Sequence, residues 1–113
     1  MSWMYEAKQN IDGIGPVECH IIPDRGQSTL LQNTGYHSPD GFQIGYEGSG
    51  PADLAYSILN HYIYKATTKA LVYIDGYAEL YHQQFKRDFV AKEKQLLQIN
   101  SDVIGLWIEQ QEK

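Results

Sequence analysis

Apolar positions along this chain follow two different periods, and the change comes near residue 50. In the first part they alternate with polar ones. Trp3, Tyr5 and Ala7 mark a half-buried strand, and Val17, Cys19 and Ile21 share one face of a second. Between them, Ile11 to Pro16 carries Gly13 and Gly15 and reads as turn chemistry. Pro23-Asp24-Arg25-Gly26 is a tight turn: proline presets φ, aspartate bonds its own backbone, and glycine takes positive φ. Ser28 to Leu31 is then the returning strand. Gln32 to Gly41 is a polar loop, and Phe42 to Tyr46 is predicted as the fourth strand of the N-terminal half.

Beyond Gly50 the period becomes helical. Leu54, Ile58, Leu59 and Tyr62 make a stripe, which predicts a helix from Pro51 to about Tyr64. Lys65 to Lys69 reads as a polar break. Leu71 to Ile74 fits either a short strand or the start of the next helix. Tyr77, Tyr81, Phe85 and Phe89 recur every four residues and predict a helix to about Lys92. Gln95 to Ile99 is a short strand candidate. Asn100-Ser101-Asp102 supplies a cap and a first-turn acid for a last helix to Gln110, with Val103, Ile104, Trp107 and Ile108 inward. The expected fold is α+β: an antiparallel sheet of about four strands in the N-terminal half, packed by two or three helices.

Composition narrows the classes. At 113 residues the chain suits one compact domain over residues 1–113. No apolar run approaches the roughly 18 residues a membrane helix needs, so no membrane contact is expected. The start, Met1 to Glu6, lacks the basic segment and apolar core of a signal peptide, and Cys19 is the single cysteine. A cytoplasmic setting is the expectation. The net charge of −5 is uneven: residues 1–60 hold seven acids and two bases, and residues 61–113 hold seven of each. That imbalance argues against direct nucleic-acid binding, which needs a basic surface, and suits docking on a basic protein surface.

The corner Gly48-Ser49-Gly50-Pro51 joins the two halves. Pro51 suits the first helical position, Gly50 the N-cap and Asp53 the first turn. A helix start behind a glycine-rich loop can also hold an anion, which makes Gly48, Ser49 and Gly50 candidate ligand contacts. Against this, no Lys-Ser/Thr follows as in a P-loop, the third glycine of a dinucleotide fingerprint is missing, and Glu47 and Asp53 repel phosphate. The same stretch, Gly45-Tyr46-Glu47-Gly48-Ser49-Gly50-Pro51-Ala52-Asp53-Leu54-Ala55 with Ile58-Leu59 after it, resembles the signature of an uncharacterised family of small proteins of bacteriophages and bacterial mobile elements. Phe85-Lys86-Arg87-Asp88-Phe89-Val90-Ala91 and the tryptophan of the terminal helix match further features of that family. The resemblance spans roughly residues 28–110. Ile44 stands where the family pattern has tryptophan, and Tyr56 interrupts a usually aliphatic helix. The resemblance implies a phage or mobile-element source; it carries no activity, cofactor or site residue.

Other constellations are weaker. Glu79-x-x-His82 has the helical spacing of carboxylate-bundle metal ligands, but such sites need a second copy and further carboxylates, and only Asp75 lies one turn away. Cys19 sits on an apolar face while His20 points to the other, so a core thiol is expected rather than a nucleophile. No metal or cofactor is expected. Nine tyrosines are many for this length, and Tyr56, Tyr64 and Tyr73, with Glu47 and Asp53, are the candidate interface residues. Three function classes follow: a phage-encoded accessory protein that binds a host protein and inhibits a defence factor such as a CRISPR effector; a small-ligand or nucleotide binder using the Gly48–Pro51 helix start; and an enzyme, for which no catalytic set stands out. A homodimer is left open.

Overall fold

The structure, a computed structural model, describes residues 2–13, 15–35, 38, 41–70 and 76–111, the side chains of 66–70 excepted. Strand β1 (Trp3–Lys8) is followed by β2 (Cys19–Pro23) and the two-residue β3 (Thr29–Leu30). Helix α1 (Ser49–Ala70) comes next, then α2 (Tyr77–Phe85), which runs into a π-helical turn, Lys86–Val90. Strand β4 (Leu96–Asn100) and helix α3 (Ser101–Gln111) complete the chain. The four strands form one antiparallel sheet in the order β3-β2-β1-β4, with helices against one face, so the fold is α+β.

Alternation decides the sheet. Tyr5 pairs with Ile21 on one side and Ile99 on the other; Ala7 pairs likewise with Cys19 and Leu97. All of these point toward the helices, where Tyr5, Ala7, Cys19, Leu97 and Ile99 are buried. Leu54, Ile58 and Leu59 of α1, Phe85 of α2 and Ile104 of α3 meet them with no exposed surface. Each such side chain contributes about 1.5–3 kcal/mol by leaving water.

The fourth strand is not Phe42 to Tyr46, as alternation predicted, but Leu96–Asn100. Phe42 and Ile44 are buried. However, Gly45 sits at φ +86° and, among the described residues, the segment's backbone makes only point contacts: Val17 N donates to Phe42 O (2.8 Å) and Gly45 N to Val90 O (3.2 Å). An extended chain can bury alternate side chains without joining a ladder.

Helix α1 is also longer than predicted. It starts two residues before Pro51 and continues through Lys65 to Lys69. That segment is polar but contains neither glycine nor proline, so nothing in it breaks a helix. The predicted helix from Tyr77 to Lys92 ends α-helical geometry at Phe85. Ala91 N then bonds Lys86 O at 2.9 Å, a five-residue step that inserts one extra residue. In α3 the predicted cap is present: Asn100 Oδ1 accepts from Asp102 N at 2.8 Å. Val103 departs from the predicted inward stripe and is exposed. Leu71 to Asp75 lies outside the described residues.

Candidate functional site

The corner is built from its own neighbours. Ala52 N donates to Gly48 O at 3.0 Å, which makes Gly48 the N-cap and moves Gly50 to the second and Pro51 to the third helical position. Pro51 still costs nothing there, because the first four N–H groups of a helix have no intrahelical acceptor. The Tyr46 ring lies over Gly48, so that a Cβ on Gly48 would come 3.1 Å from Tyr46 Cδ2. The Gln43 side chain lies over Gly50, where a Cβ would stand 2.7 Å from Gln43 Cβ. Tyr46 donates its hydroxyl to Gln43 Oε1, closing the cover. Neither Gly48 nor Gly50 has positive φ. These glycines are needed for close approach, not for an unusual backbone.

Asp53 is not in the first turn, and its side chain is not at the surface. It falls in the second turn of α1, is fully buried, and accepts from Ser38 N at 2.7 Å. One turn later, buried Ser57 accepts from Thr34 N at 2.9 Å. Asn33 Oδ1 accepts from Gly35 N (2.9 Å), and a Cβ on Gly35 would stand 3.2 Å from Asp53 Cα. The polar edge of α1 thus holds the loop before it by backbone hydrogen bonds. Glu47 is exposed and pairs with Lys86 Nζ at 3.3 Å, while Lys86 itself is buried to 8% exposure.

The tyrosines divide between core and surface. Tyr77 is buried and Tyr81 stacks on it at 4.5 Å. Tyr62 packs on Trp3 at 5.7 Å. Tyr56 is half-buried, edge-on to His82 at 5.5 Å, while Tyr64 is exposed. Tyr73 lies outside the described residues.

His82 is buried, with Nδ1 3.0 Å from both Ala78 O and Glu79 O, so its ring is held by its own helix. Glu79 faces solvent. Among the described residues, no three of His, Cys, Asp and Glu form a metal-holding group. Asp75 is not described. Cys19 is buried, and desolvation pushes its thiol up to about 12, which keeps it protonated and inert at neutral pH. His20, on the other sheet face, lies 3.8 Å from Glu18.

Two features had no sequence signal. The first is the contact of the buried Tyr5 hydroxyl with His61 Nδ1, at 2.6 Å. The second is the uncovered face of the sheet. In register, Ile22, Met4 and Asn100 form one row across it; Leu30, His20, Glu6 and Gln98 form the next; Lys8 and Leu96 pair in a third. Gln98 Nε2 donates to Glu6 Oε2 at 2.7 Å along the middle row. Leu30 and Leu96 are 54% and 39% exposed. A helix covers the opposite face only, among the described residues.

The family of unknown function DUF6166 matches residues 5–110, which takes in every strand and helix from Tyr5 onward. The chain belongs to that family. The match starts inside β1, so it takes in the rest of that strand and all of β2, which the motif resemblance did not reach. Neither a curated protein nor a solved structure matches the chain. Among the described residues no helix is long and apolar enough to cross a membrane.

Proposed function

We propose that this protein acts by binding another protein through the open face of its sheet. The observation that carries the reading is the set of apolar side chains there. Met4 and Ile22 pair in one row, and Leu30 and Leu96 stand on the two edge strands, β3 and β4, of the face that no described helix covers. Apolar side chains grouped on an exposed face and rimmed by polar ones favour contact with a partner. Glu6 and Lys8 balance each other on that face, but exposed Glu18 and Asp24 flank β2 and the chain carries −5 overall. A basic protein surface is therefore the complementary partner. Together with the sequence resemblance to phage and mobile-element proteins, this supports an accessory role in which the partner is a host protein, such as a defence factor of the CRISPR type.

Capture from host lysate tests the reading. Leu30→Glu and Leu96→Glu change exposed side chains and should leave the melting temperature unaltered. A host protein retained by the wild type and lost with either variant supports it. Equal retention by all three removes the sheet face as the binding surface. Expression in a host with active CRISPR immunity tests the finer proposal: restored phage infection supports it, and unchanged immunity rejects it.

A further inference from the structure

The geometry points to a second binding site, for a small phosphomonoester on a hydroxyl-rich body such as a sugar phosphate, in a groove apart from the open sheet face. This groove of about 290 Å³ opens where the β1–β2 connection, the segment before α1 and the approach to β4 come together. Its size fits a molecule of a few rings or fewer. Gly13, Gly15 and Gly45 line it, all at positive φ, and so present bare backbone. A Cβ on Gly13 would meet nothing within 4 Å, so this wall is open, whereas one on Gly45 would stand 3.1 Å from Lys94 Cα. Gly45 thereby lets the back wall close against the chain before β4.

The side chains set the ligand class. Gln9, Gln43 and Gln95 line the groove; Gln9 Oε1 accepts from Asn10 N and Gln43 Oε1 from Tyr46, so their amide N–H groups and the Gln95 amide are what suit ligand hydroxyl groups. Tyr46 adds a half-exposed ring beside them. Lys94 is the one charged residue among the described lining residues, and it is cationic. In a chain of net charge −5, a groove with no carboxylate among its described lining residues is a local exception. One ammonium with bare glycine backbone suits a single compact anionic head, and the three oxygens of a phosphomonoester use several donors at once. The corner glycines predicted to contact ligand, Gly48 to Gly50, do not line this groove, although Tyr46 and Gln43 belong to both.

Amide-resolved NMR titration of the full chain tests this, with ribose 5-phosphate, inorganic phosphate, ribose and glucuronate as probes. Ribose 5-phosphate should shift the amides of Gly13, Gly15, Gly45 and Gln95 together. It should bind about tenfold or more tightly than any of the other three, because each lacks the phosphate or the body. Lys94→Glu alters an exposed side chain, so a preserved spectrum confirms its fold; it should weaken binding at least about tenfold. No shift at about 10 mM ribose 5-phosphate would exclude even millimolar binding and overturn the site. So would shifts elsewhere on the protein, unchanged affinity in Lys94→Glu, or inorganic phosphate or glucuronate binding as tightly as ribose 5-phosphate.

Discussion

The hydroxyl of Tyr5 lies 2.6 Å from Nδ1 of His61, and this contact ties the central strand to the middle of α1. Tyr5 has no exposed surface, and burial raises its pKa well above the ordinary value, so it stays protonated. A protonated phenol donates best to a neutral imidazole. Burial first, and the nearby Lys65 second, lower the His61 pKa below its ordinary 6.5.

A pH dependence follows, with a definite sign. The unfolded chain takes up a proton at His61 near its ordinary value, while the folded chain resists it to lower pH. Stability from this group is therefore complete above about pH 6.5 and falls as pH drops below it. Thermal melts between pH 5 and 7.5 should show the wild type losing melting temperature on acidification. His61→Gln should show a shallower loss over the same window. Parallel curves would mean that His61 does not titrate as described.

The two corner glycines should differ in their tolerance of alanine. Gly50→Ala meets Gln43 Cβ, an atom fixed to the backbone, and should cost about 1–3 kcal/mol by overpacking. Gly48→Ala meets the ring of Tyr46, which can swing outward, and should cost less. Urea denaturation of both variants measures the difference. Equal costs would point to a shared backbone cause instead of these two contacts.

How much of this was legible in advance depends on the range of each interaction. The strand at Trp3, Tyr5 and Ala7 and the helix at Leu54 to Tyr62 follow from local periodicity, and both are present. The exchange of Phe42 to Tyr46 for Leu96–Asn100 was not legible as such. Both segments alternate, and only the partner, β1, and the turn at Gly45 decide which of them joins the ladder. Asp53 reads locally as a helix-start acid, yet its carboxylate is turned onto Ser38 N, fifteen positions earlier in the chain. The π-helical turn carries Lys86, which reaches Glu47, and Asp88, which accepts from Trp107 Nε1 at 2.7 Å; neither pairing leaves a periodic trace.

Asp53→Ala should therefore behave as a core variant. It removes the side-chain acceptor of Ser38 N, and losing a buried acceptor costs about 1–3 kcal/mol. Denaturant titration should show a lower midpoint. Hydrogen exchange should quicken at Ser38. A midpoint within error of wild type would contradict the anchoring role.

The Glu47–Lys86 pair should be asymmetric. Lys86 is the buried partner, so Glu47→Ala leaves its ammonium without its counter-charge, whereas Lys86→Met fills the same space with an apolar stem. Lys86→Met should melt at or above the temperature of Glu47→Ala. The reverse order would show that the pair stabilises through the exposed carboxylate.

The open sheet face is the central claim, and site-specific photo-crosslinking addresses it most directly. A benzophenone side chain is placed at Leu30 or Leu96 on that face, or at Leu80 or Leu106 on the exposed sides of α2 and α3. Irradiation in host lysate should join the captured protein to the Leu30 and Leu96 probes and leave the Leu80 and Leu106 probes unreacted. Crosslinks from the helix positions alone would place the binding surface on the other side of the molecule and contradict the account.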